Sequence, residues 1–85
     1  MLKIYGTMLC EDCVSCLEQL RKENIAFEFL EFSDKLDYLK EFLKMRDQNS
    51  IFGAVRETEG IGIPCIVTET GEIVLDWEAF VRKNQ

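Results

Sequence analysis

Cysteine is the residue type in this chain with the most chemistry to offer. Four are present, Cys10, Cys13, Cys16 and Cys65, and no histidine accompanies them. The first two enclose a pair of carboxylates in Cys10-Glu11-Asp12-Cys13. A close Cys-x-x-Cys in a chain that is not exported reads as redox-active or metal-binding rather than as a structural staple. Where a strand passes into a helix, the first thiol meets unpaired backbone N–H groups and the positive helix end, which favour the nucleophilic thiolate. The second thiol lies one helical turn away, close enough to resolve a mixed disulfide. Cys10 is therefore the expected nucleophile and Cys13 the expected resolving thiol. Glu11 and Asp12 suit the first turn of any helix, and there they oppose negative charge on Cys10.

Cys16 extends the spacing to Cys-x-x-Cys-x-x-Cys, but six residues of helix turn it about 120° from Cys10. It is expected to be buried as a small hydrophobe, and so is Cys65, which follows the one proline, Pro64. The sharper alternative makes Cys10, Cys13, Cys16 and Cys65 a ligand set for zinc or an iron–sulfur cluster, since four thiolates complete a tetrahedron. A third reading is a binding module without catalysis. Lack of histidine excludes Ser-His and Cys-His triads and any site that needs imidazole.

The elements that must position these thiols follow from the rest of the chain. At 85 residues, 47% apolar and 31% charged, residues 1–85 are expected to form one domain around a single core. A net charge of −6 without a basic cluster argues against nucleic acid as a partner. No apolar run approaches the ~20 residues that span a bilayer, and no secretory leader is evident, so a cytoplasmic location away from the membrane is expected. A monomer is expected as well.

Residues 2–5 read as a short strand broken by Gly6 and Thr7, and a helical stripe runs from about Cys10 to Glu23, ended by Asn24. Residues 26–32 form an aromatic-rich strand, expected at the centre of the sheet. Ser33 or Asp34 is expected to cap a second helix that runs to about Gln48. The stretch 49–62 reads as a loop with room for one helical turn. Ile63 to Val67 form a strand, Glu69-Thr70-Gly71 a hairpin turn, Glu72 to Leu75 the returning strand, and Asp76 caps a last short helix. The resulting order is β-α-β-α-β-β-α, with a parallel first pair and an antiparallel late hairpin.

With Lys3-Ile4-Tyr5-Gly6-Thr7-Met8-Leu9-Cys10-Glu11-Asp12-Cys13 leading the chain and Gly62-Ile63-Pro64 some fifty residues later, the sequence resembles the glutaredoxin branch of the thioredoxin-like superfamily over nearly its whole length. The resemblance implies an α/β thioredoxin-like fold with a four-stranded mixed sheet flanked by helices. It also implies a disulfide oxidoreductase acting on a protein or small-molecule disulfide, with a redox-active disulfide and no bound cofactor. It makes the Ile63–Pro64 bond cis and gives Ile63 and Pro64 the task of meeting the substrate. Three departures bear on glutathione. Glu11-Asp12 replace the usual Pro-Tyr, Thr7 stands near the usual lysine, and Leu75-Asp76 occupy the place of a glycine pair. Glutathione is accordingly expected to be a poor substrate.

Overall fold

The computed structural model describes residues 1–53 and 60–85. Strand β1 (Leu2–Gly6) buries its last three residues, with Ile4 on one face of the sheet and Tyr5 on the other. It pairs in parallel with β2 (Phe27–Glu31), from Leu2 opposite Phe27 to Gly6 opposite Glu31. On its other side β1 runs antiparallel to β3 (Cys65–Val67), which in turn pairs with β4 (Ile73–Val74). The order β2-β1-β3-β4 makes a four-stranded mixed open sheet.

The sheet corrects one expectation. The aromatic strand β2 lies at the edge, and β1 and β3 are central. Its apolar side chains are used by the two faces rather than by a second neighbouring strand. Phe27 and Phe29 pack towards one core cluster and Leu30 belongs to the other.

Helices cover both faces. Helix α1 (Glu11–Lys22) sets Cys16, Leu17 and Leu20 against Ile4 and Ile66, and Val81 from α3 (Trp77–Lys83) joins them. Across the sheet, α2 (Leu36–Gln48) inserts Phe42 beside Tyr5, Leu30 and Cys65. A single 3-10 turn, Ser50–Phe52, adds Phe52 to the same cluster. The Phe42 ring lies 5.6 Å from Phe32 and 6.0 Å from Phe52, centroid to centroid. Burial of one such ring contributes about 1.5–3 kcal/mol. Among the described residues, no helix is long and apolar enough to cross a membrane.

The ends of the elements follow the local chemistry with two exceptions. Asn24 takes the left-handed conformation at φ 58°, and Ile25 N–H closes back on the Leu20 carbonyl at 2.9 Å, which ends α1 as anticipated. Gly71 at φ +89° turns the late hairpin, and Asp76 accepts from Ala79 N–H at 3.1 Å to cap α3. The first exception is α2, which begins at Leu36 after Lys35, with no side-chain cap. Ser33 is committed instead to Glu31, to which it donates through both N–H and hydroxyl. The second is Gly6, which does not break β1 but completes it. Of the loop anticipated over 49–62, residues 54–59 lie outside the described residues.

Candidate functional site

Four residues, Thr7 to Cys10, carry the chain from the end of β1 to the start of α1. Each backbone N–H after Thr7 in this turn has a partner. Met8 N–H donates to Glu31 Oε2 at 2.8 Å, Leu9 N–H to Thr7 Oγ1 at 3.2 Å, and Cys10 N–H to the Thr7 carbonyl at 3.1 Å. The turn therefore delivers Cys10 in a fixed place, at the N-cap of α1.

There the cysteine takes the part usually played by serine or aspartate. Cys10 Sγ accepts from Cys13 N–H at 3.4 Å, and Cys10 has the extended backbone of a capping residue at φ −99°, ψ 122°. The sulfur is thereby held at the start of the helix, with the Cys13 N–H aimed at it. Cys10 is half-buried, while Cys13 is completely buried. All four cysteines are free thiols.

Burial dominates at Cys13. Desolvation pushes its thiol up to about 12, a backbone hydrogen bond from Thr7 pulls the other way, and proximity to Cys10 adds to the rise. Gly6 is what makes room for it. A Cβ on Gly6 would stand 2.7 Å from Cys13 Sγ, closer than any packed pair of these atoms tolerates. The glycine is thus a close-approach residue beneath the Cys-x-x-Cys helix.

Around Cys10 the surface is apolar. Thr7, Leu9, Cys10, Ile61 and Ile63 line one open depression, in which Leu9 is 88% and Ile61 51% exposed. No lysine or arginine is among these lining residues, and Glu11 and Asp12 stand exposed in the first turn of the helix. The Ile63–Pro64 peptide bond is cis, as expected. Ile63 borders the depression, whereas Pro64 is buried and does not line it.

The four cysteines do not come together. Cys16 lies in the cluster under α1 and α3, and Cys65 lies across the sheet among Tyr5, Leu30, Phe42 and Phe52. Desolvation raises both thiols to about 12. Among the described residues, no three of the His, Cys, Asp and Glu side chains form a group that could hold a metal ion. The alternating faces of a strand explain the separation, because Cys65 and Ile66 point to opposite sides of β3.

Two contributors to the site escape a reading of the sequence. Gly6 looks like a strand breaker, and Glu31 looks like the polar end of an aromatic strand. Only the parallel register, which puts Gly6 opposite Glu31, brings that carboxylate beside the turn that carries Cys10.

No family model matches this chain, and no solved structure matches it. The chain is similar to an uncharacterized protein of Haemophilus influenzae, 27% identical over 67 residues that cover 79% of this chain and 78% of that one.

Proposed function

We propose that this protein is a glutaredoxin-like thiol–disulfide oxidoreductase with a thioredoxin-like fold, working in the cytoplasm as a monomer. The observation that carries this reading is the difference between the two thiols of one helical turn. Cys10 is half-exposed and accepts from Cys13 N–H at 3.4 Å, while Cys13 is buried and protonated beneath it. That is the arrangement a two-step exchange needs.

In the first step the Cys10 thiolate attacks one sulfur of a substrate disulfide. A Cys10–substrate disulfide forms, the substrate S–S bond breaks, and one substrate thiolate leaves. In the second step Cys13 gives its proton to that first thiolate and attacks Cys10 Sγ, the mixed disulfide breaks, and the second substrate sulfur leaves as a thiolate that takes its proton from water. The substrate gains two electrons and the protein ends as the Cys10–Cys13 disulfide. A thiol reductant from outside the chain must then restore the dithiol. Ile63, which lines the depression with Cys10, is suited to meet the substrate there.

Among the described residues, the lining of the depression beside Cys10 is mainly apolar and holds no cation, which favours a disulfide borne by a polypeptide over glutathione, whose carboxylates would meet Glu11 and Asp12. No bound cofactor enters this chemistry. A Cys13→Ser variant tests the reading, because it lacks the resolving thiol and should accumulate a mixed disulfide through Cys10. The adduct should form faster with a peptide disulfide than with oxidised glutathione, as read by intact mass. Failure to form any adduct, or an adduct at another cysteine, would overturn the assignment.

A further inference from the structure

The carboxylate of Glu31 gathers more hydrogen bonds than any other side chain near the candidate site. Oε2 accepts from Met8 N–H at 2.8 Å, and Oε1 accepts from Ser33 N–H at 3.0 Å and from Ser33 Oγ at 2.7 Å. Thr7 closes the ring. Its hydroxyl lies 3.2 Å from Ser33 Oγ and accepts from Leu9 N–H at the same distance. The backbone fastens the same ends, because Phe32 N–H donates to the Gly6 carbonyl at 3.0 Å.

This arrangement has a direction. Glu31 ends β2, the strand beside β1, so its carboxylate is anchored in the sheet rather than in the turn it serves. Of the three N–H groups after Thr7, Met8 alone has its partner outside the turn; Leu9 and Cys10 bond back to Thr7. Without Glu31 the turn would hold itself together but would be less firmly tied to the sheet. Cys10 sits at the far end of that turn, and its sulfur is the cap of the Cys13 N–H.

We infer that Glu31 is a positioning residue for Cys10: it ties the Thr7–Cys10 turn to the end of β2 and so keeps the Cys10 sulfur over the first turn of α1. Its functional weight rests on Cys10 being the attacking thiol, as proposed above, but the placement itself is independent of that reading. Electrostatics agree with the geometry. Desolvation raises the Glu31 carboxyl, but the N–H of Met8 and then the donors of Ser33 and Thr7 outweigh it, so the group is held below its usual range. The anchor is therefore an anion whenever the thiols are in use.

The test reads the placement rather than the activity. Cys13 is the third residue of α1, and its N–H has the Cys10 sulfur as its acceptor, so its exchange with solvent reports whether Cys10 is in place. In the reduced protein, Glu31→Ala should speed amide exchange at Met8 and at Cys13 by about tenfold or more, while Val81 in α3 changes by less than twofold. Glu31→Gln keeps one acceptor oxygen and should fall between the two. If Glu31→Ala does not fold, Glu31→Gln is compared with wild type, and exchange at Cys13 more than twofold faster is the expected result. Exchange at Cys13 that stays within twofold of wild type in a folded variant overturns the inference. Mixed-disulfide formation by Cys13→Ser is measured separately, so loss of the redox reading and loss of the anchor are distinguishable.

Discussion

The first turn of α1 and the interior of the sheet hold the same side chain under opposite conditions. At the helix start, Cys10 is half-exposed with a donor aimed at its sulfur. In the interior, Cys16 and Cys65 are fully buried on opposite faces, among aliphatic and aromatic groups that offer no charge. Cys13 stands between the two, buried like the core thiols yet one helical turn from Cys10. The contrast teaches that the number of cysteines says little about reactivity. What separates a nucleophile from core filling is access to solvent and a fixed donor, and both come from backbone geometry.

The largest effect should come from removing the thiol on one side of this contrast. Cys10→Ser should bring disulfide reduction down to background, whereas Cys16→Ala and Cys65→Ala should each stay within about threefold of wild type once refolded. A turbidity or fluorescence assay of protein disulfide reduction makes the comparison. Cys65→Ala as damaging to the reaction as Cys10→Ser, in a protein that still folds, would erase the distinction.

A smaller but sharp effect is expected where the two regions meet, at Gly6. Gly6→Ala forces a Cβ to 2.7 Å from Cys13 Sγ, so that helix α1 or the strand must give way. Overpacking of this kind costs about 1–3 kcal/mol, and each kcal/mol moves Tm by ~4–8 °C in a chain of this size. The reduced protein is the right state for the measurement. Gly53→Ala, which meets nothing within 4 Å, is the matched control.

The third effect is a slope in pH. Burial lifts Cys13, Cys16 and Cys65 from 9.0 to about 12. Between these values the unfolded chain gives up thiol protons that the folded chain retains, so the unfolded state binds fewer protons and stability falls as pH rises from about 9 towards 12. Tyr5 acts in the same sense, raised to about 12 by burial and then by Glu41, which accepts its hydroxyl at 3.3 Å. Urea midpoints at pH 7, 9 and 10 on reduced protein should show the decline, and the Cys16→Ala/Cys65→Ala double variant should show a shallower one. Equal slopes would mean that the interior thiols titrate alike in both states.

Much of this molecule is legible in its amino-acid sequence. The Cys-x-x-Cys spacing, the stripe of α1, the Asn24 stop, the hairpin at Gly71 and the Asp76 cap are local signals, each set by a few neighbouring residues, and each appears in the folded chain. Burial of Cys16 and Cys65 is equally local, since Cys16 falls on the apolar side of α1 and Cys65 in a strand that is apolar on both faces. What the sequence could not determine is lateral. A strand's own pattern tells which residues face the core but not which strand lies beside it, so the aromatic β2 reads as central and proves to be an edge. The same reason hides Glu31 and Gly6. Their importance depends on a register between two strands separated by a helix, with Gly6 set opposite Glu31 and Cys13 folded back against Gly6. Local propensity fixed the position of the thiols along the chain. Sheet order and register, which depend on contacts distant in sequence, decided what surrounds them.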